Sequence, residues 1–266
     1  MTAQAGFEPH VTTLGQGPVK ALALHCTLAH GGAWKGVAAA LADRVTLTAP
    51  DMASHGRSAD WDGDSSFGDT VYESALSQLP EPMHVIGHSF GGAIGLRLAL
   101  DHPELVRSLT MFEPVFFHIA SLDAPDSLRE HDAIAGPFFE AIKSGDLETG
   151  ARLFNRMWSE PGRLKWDEMP EQMRAAMIRA IPVVPDTDGF LYRDDQNMLP
   201  RLGALRVPTL VLHGALSLDI IGATCSGLAR RIPGAREHVF AETGHMGPIS
   251  NPREVARVWG EFLNSS

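Results

Sequence analysis

The fold class this sequence predicts is α/β: a mostly parallel central sheet flanked by helices and interrupted by an all-helical insertion. Three observations lead there. Short apolar runs alternate with amphipathic stretches through the first 115 residues, the alternation stops until about residue 200, and it then resumes to the end. Runs rich in Val, Leu and Ile and bounded by Gly, Pro or Asp are the pattern of strands buried on both faces. Strands alternating with helices make βαβ units.

The first such run is VKALALHC (19–26), followed by the helical stretch WKGVAAALAD (34–43). RVTLTAPD (44–51) and MHVIGHS (83–89) read as the next strands. FGGAIGLRLALDHPE (90–104) reads as a helix that stops at His102-Pro103, because the residue before a proline is pushed out of the helical region. VRSLTMFEP (106–114) is the last strand of this half. From Val115 to Pro200 the chain holds amphipathic segments such as REHDAIAGPFFEAIKSGD and EQMRAAMIRAI, broken by Pro161, Pro170, Pro182 and Pro185, with no strand-like run. Alternation resumes with VPTLVLHG (207–214), CSGLARRIP (225–233), REHVFAE (236–242) and NPREVARVWGEFL (251–263). Residues 1–114 and 201–266 are therefore expected to form the α/β core. Residues 115–200 are expected to form a helical cap over the C-terminal ends of the strands.

The chain has 266 residues, 44% of them hydrophobic and 20% charged, enough to bury a core without outside help. Lys and Arg total 22 against 32 Asp and Glu, a formal charge of -10, so the average field repels nucleic-acid phosphates and anionic lipid. Neither nucleic acid nor a membrane is an expected partner, and the oligomeric state is left open. Cys26 and Cys225 lie far apart with no metal-type spacing, which suits a reducing compartment. The start, MTAQAGFEPH, lacks a basic region followed by an apolar run, and a stretch of about 18 apolar residues occurs nowhere, so a cytoplasmic protein is expected. H-E-x-x-H, C-x-x-C, P-loop and dinucleotide-binding patterns are missing, so no metal and no cofactor is expected.

The chemistry is concentrated at Gly87-His88-Ser89-Phe90-Gly91, a G-x-S-x-G pattern directly after a strand and directly before a helix. A sharp strand-to-helix turn holds such a serine in a strained conformation with its hydroxyl exposed. The helix N-terminus beneath it supplies partial positive charge where an oxyanion would form. A serine needs a base from elsewhere in the fold. Of the 12 histidines, His245 is the best placed, in the Gly-flanked loop AETGHMGPISNP after the last strand.

These segments, with His25-Cys26-Thr27 followed by Trp34 and with APDMASHGRS (49–58), resemble the α/β-hydrolase fold superfamily, and the resemblance runs from about Ala21 to Leu263. Cys26 and Ser54 stand where that family usually has Gly. The resemblance implies a serine hydrolase with a helical cap, Ser89 as nucleophile, His245 as general base, and the backbone N–H groups of Thr27 and Phe90 as the oxyanion hole. Cys26 at a strand end reads as a small packed residue, not as a nucleophile. The family's usual acid position falls on Ser217, and a serine cannot do the work of a carboxylate. Glu113, at the tip of an apolar strand where a carboxylate asks for a partner, is favoured as the acid, with Asp219 as the alternative.

The expected activity is cleavage of a carboxylic ester of a small, apolar substrate through an acyl-enzyme. With the same residues, the alternatives are cleavage of a C–C bond, thioester or lactone, or acyl transfer. A non-catalytic ligand-binding protein on the same fold is the alternative from another class. Epoxide and haloalkane hydrolysis are disfavoured, because those families carry aspartate where Ser89 stands. The aromatic and Met residues of the insertion (Phe116, Phe117, Phe138, Phe139, Phe154, Met157, Trp158, Met173 and Met177) are expected mostly to pack, with a minority lining an apolar pocket above Ser89.

Overall fold

The computed structural model describes residues 7–159 and 164–265. Pro161, expected to break the helical insertion, and the first six residues of MTAQAGFEPH lie outside them. Seven strands form one sheet in the order β1-β3-β2-β4-β5-β6-β7. They are β1 (Val11–Gly15), β2 (Val19–Leu24), β3 (Val45–Pro50), β4 (Met83–His88), β5 (Val106–Phe112), β6 (Thr209–Gly214) and β7 (Arg236–Phe240). β1 runs antiparallel to β3 and every other pair is parallel. The six parallel strands all fall inside the runs expected to be strands. β1 was not foreseen: VTTLG is only partly buried and sits at the sheet edge, so it lacks the continuous apolar run that marks a central strand. β4 and β6, in the middle, are buried at every position.

Helices cover both faces. α1 (Lys35–Ala40) is shorter than the expected 34–43 and is preceded by a 3-10 turn over Gly31–Trp34. α2 (Phe67–Leu76), not anticipated, begins at Ser66, whose side chain accepts from the Asp69 N–H. α3 (Phe90–Asp101) ends at His102, where the His-Pro pair predicts it. The insertion contributes α4 (His118–Asp123), α5 (Pro125–Lys143), α6 (Leu147–Trp158), α7 (Glu171–Ala180) and α8 (Asp188–Leu191), and among the described residues 113–208 hold no strand. Pro170 precedes α7, whereas Pro182 and Pro185 lie in a 3-10 segment over Ile181–Thr187. Pro137 sits inside α5. α9 (Asp219–Arg231) starts ahead of the expected Cys225, because extended Leu218 opens it and Asp219 places a negative charge in its first turn. α10 (Gly247–Ser250) and α11 (Pro252–Leu263) complete the chain.

Two apolar layers sandwich the sheet. One packs α2, α3, α9 and the roots of the insertion through residues such as Phe67, Ile94, Phe116 and Ile221. The other packs α1 and α11 through Trp34, Val37, Trp259 and Phe262. A third, smaller cluster around Phe138, Trp166, Ile181 and Val184 lies within the insertion. Since β2 and β4–β7 are parallel, their C-terminal ends share one edge, and the residues that follow them meet there.

Candidate active site

Ser89 follows β4 with φ 57° and ψ -119°, a region that L-residues rarely occupy. The neighbouring glycines make this turn possible. A Cβ on Gly91 would come within 2.5 Å of the Leu24 carbonyl oxygen and 2.6 Å of that of His25, and one on Gly87 would collide with the Gly91 backbone. The strand ladder holds the elbow from the other side, since the Ser89 N–H donates to the Phe112 carbonyl at 2.9 Å. Phe90 is the first residue of α3, so its N–H has no acceptor within that helix.

Glu113 follows β5 and is also in the left-handed region, at φ 48°. Its carboxylate is fully buried, and all of its oxygens are engaged. Oε2 lies 2.7 Å from His245 Nδ1. Oε1 accepts from the Gly214 N–H at 2.7 Å and from the Ser217 hydroxyl at 2.6 Å. The structure thus brings Glu113 to His245 and leaves Asp219 exposed on the first turn of α9. Ser217, where the family's acid usually stands, donates to the carboxylate that stands elsewhere. Sequence reasoning missed that contact; the signal was a hydroxyl in a place reserved for an acid.

His245 itself is buried, with the ring of Trp158 at 4.3 Å between centroids and that of His88 at 5.0 Å. His88 Nε2 donates to the His245 carbonyl at 2.7 Å, which fixes the loop carrying the imidazole. Burial and the neighbouring His245 hold the His88 pKa far below that of a free imidazole.

The segment bearing Thr27 is held by two further histidines, His25 and His55, which the sequence offered only as parts of motifs and without a role of their own. The Leu28 N–H donates to His55 Nε2 at 3.0 Å, and Leu28 has φ 64°. The Met52 N–H donates to His25 Nε2 at 3.0 Å, while the Gly31 N–H reaches Asp51 at 2.6 Å. Burial pushes the His25 pKa down to about 4 and that of His55 down to about 3, so both rings stay neutral acceptors at pH 7. Cys26 is buried and its thiol is pushed up to about 12 by desolvation, as befits a packed residue. Arg179 on α7 bonds the Asp60 carboxylate and the Gly56 and Ser58 carbonyls, tying the insertion to the loop that carries His55.

Thr27 and Ser89 share a cavity with residues of the insertion, among them Phe117, Phe138, Phe139, Phe154, Trp158 and Leu191. The cavity volume of about 40 Å³ leaves room for a few waters or a short acyl chain. Of the other apolar residues singled out in the insertion, Phe116 is buried in the main core, Met157 and Met177 pack within the insertion, and Met173 is exposed. Among the described residues no group of three or more His, Cys, Asp or Glu side chains is arranged to hold a metal ion, and no helix is long and apolar enough to cross a membrane.

The sequence profile described as the alpha/beta hydrolase family matches residues 22–258. A pimeloyl-(acyl-carrier protein) methyl ester esterase from Nitrosomonas europaea is 27% identical over 247 residues, covering 92% of this chain and 95% of that protein. The lipase LipV from Mycobacterium tuberculosis is 36% identical over 269 residues, covering 94% and 95%. Among solved structures, a thermophilic esterase from Thermogutta terrifontis superposes with a TM-score of 0.72 at 22% identity, covering 99% of this chain and 96% of that one.

Proposed function

Because the chain belongs to the alpha/beta hydrolase family, we propose that it is a carboxylic-ester hydrolase working through an acyl-enzyme, with Ser89, His245 and Glu113 as its catalytic triad. The observation that carries this reading is the arrangement of the buried Glu113 carboxylate. One oxygen binds His245 Nδ1 and the other is saturated by Gly214 and Ser217, so Nδ1 carries the proton and Nε2 is the nitrogen left to serve as base. A carboxylate so placed compensates an imidazolium when one forms.

Ser89 Oγ attacks the ester carbonyl while its proton passes to His245 Nε2. The carbonyl oxygen becomes an oxyanion held by the N–H groups of Phe90 and Thr27, and the positive end of α3 adds to that field. The tetrahedral species collapses, and the alcohol leaves with the proton returned by the imidazolium. Water then gives its proton to His245 and attacks the acyl-serine, and a second collapse restores Ser89 and releases the acid. The strained elbow keeps Ser89 in the attacking position, so little reorganisation is needed at each step.

Residues 115–200 act as a cap whose aromatic side chains receive the apolar part of the substrate. Two buried free cysteines fit a reducing compartment, and we place the protein in the cytoplasm on that ground. Reaction with a fluorophosphonate probe tests the mechanism: labelling of the wild-type protein, lost in Ser89→Ala, is expected together with turnover of short p-nitrophenyl esters. An unlabelled wild-type serine would overturn the reading.

A further inference from the structure

The cavity above Ser89 is mostly apolar, with Thr27, His131, Thr187 and Tyr192 also in its wall, and one carboxylate lines it: Asp188, at the start of α8. Its side chain is half-buried and has no hydrogen bond or ion pair among the described residues. Desolvation raises its pKa from the ordinary aspartate value, Arg193 opposes that, and Asp132 and Asp186 reinforce it. Arg193 is largely exposed and pairs with Asp195, and no Lys or Arg lines the cavity. A carboxylate left unpaired against apolar surroundings is costly unless something that visits the site compensates it.

The walls around it suit one kind of visitor. The ring of Phe117 lies 5.3 Å from that of Tyr192 and 4.8 Å from that of His131. Trp158 continues the series, 6.0 Å from His131 and 4.3 Å from His245, so a chain of neighbouring aromatic rings runs from Tyr192 to the His245 imidazole. His131, which also lines the cavity, has its pKa lowered by burial and brings no competing positive charge. Aromatic faces attract cations through their quadrupoles, most strongly where water is excluded, and an adjacent carboxylate adds to that attraction.

We propose that this site selects esters whose acyl or alcohol part carries an ammonium group, seated among Phe117, Tyr192 and Trp158 with Asp188 as its counter-ion. This inference rests on the ester-hydrolase reading and narrows its substrate class. Neutral esters remain substrates by virtue of the same apolar walls, whereas an acyl chain ending in a carboxylate meets Asp188 and is rejected.

Two pairs of isosteres test the idea and distinguish the two placements of the charge. The p-nitrophenyl ester of 4-(trimethylammonio)butyrate is compared with that of 5,5-dimethylhexanoate, and butyrylthiocholine with its 3,3-dimethylbutyl thioester isostere. In at least one pair the charged member should have a kcat/KM about tenfold above the neutral one. That ratio, taken within each protein so that any general loss cancels, should fall towards one in Asp188→Asn and be retained in Asp188→Glu. A wild-type ratio of one or less in both pairs, or a ratio that Asp188→Asn leaves unchanged, would overturn the proposal. Calorimetric binding of 4-(trimethylammonio)butyramide to the Ser89→Ala protein separates the two failures. Binding that depends on Asp188 without any ester turnover would sink the hydrolase reading alone, and turnover without charge preference would sink this inference alone.

Discussion

The strand tips and the helical insertion face each other across one cavity, and they are built on opposite terms. At the tips, position is set by backbone: Ser89 and Glu113 both hold positive φ, and the parallel ladder continues into them through the Ser89–Phe112 and Glu113–Leu212 hydrogen bonds. In the insertion, position is set by side-chain packing. α4, α5, α7 and α8 lack a side-chain hydrogen bond at the N-cap, and aromatic contacts join one helix to the next. Under the proposed mechanism, reactivity would rest on the hydrogen-bonded strand tips and selectivity on a packed layer that can be altered one ring at a time.

The comparison breaks most readily at the tips. Ser89→Ala should lower kcat for p-nitrophenyl butyrate by about 10⁴-fold or more with circular dichroism unchanged, and His245→Ala by a similar factor. Since the two act as one unit, the double variant should be no worse than either alone, and residual activity within tenfold of wild type would refute the assignment. Glu113→Gln keeps the volume but loses the compensating charge, so kcat should fall about 10³- to 10⁴-fold while Asp219→Asn stays within about twofold. The reverse ranking would move the acid to α9.

Much of the tip region was legible in the sequence, because its backbone demands leave marks. Gly87 and Gly91 around a serine, a strand before and a helix after, and an acid at the end of an apolar run all follow from packing that admits few residues. Asp219 could not be set aside from sequence, since nothing there shows that its helix begins at that residue and turns it to solvent. Nor could Ser217 be read as the partner of Glu113, because that contact joins positions 104 residues apart. In the insertion, composition was legible and position was not. Phe116 and Phe117 are neighbours with the same chemistry and both belong to the main core, yet only Phe117 also lines the cavity.

Acid stability is set beside the strand tips, where two buried histidines stay neutral. His25 and His55 have folded pKa values of about 4 and about 3, below the unfolded value of about 6.5. Between those limits the unfolded chain takes up protons that the folded chain refuses, so stability falls as pH drops below about 6.5. Each ring contributes a slope of up to about 1.4 kcal/mol per pH unit. In urea titrations at pH 7, 6 and 5, His55→Asn should flatten this decline by about one ring's share, and an unchanged slope would remove His55 from the account.

The smallest effect on activity belongs to the insertion. Phe139→Ala, at the cavity wall, should shift the preference between butyrate and octanoate esters by about fivefold. Phe116→Ala should instead cost about 3–5 kcal/mol of stability with that preference intact. Equal loss of stability in both variants, with selectivity fixed in both, would mean that the insertion only packs.

Glu113 is followed at once by Pro114, Val115, Phe116 and Phe117, so the carboxylate that bonds His245 belongs to the residue at which the chain leaves the sheet. Val115 and Phe117 already line the cavity. The enzyme is consequently less modular than its two-part architecture suggests. A chimera that borrows another insertion must keep 113–117 as a shared seam, because a graft cut before that seam exchanges the carboxylate at His245 along with part of the cavity wall.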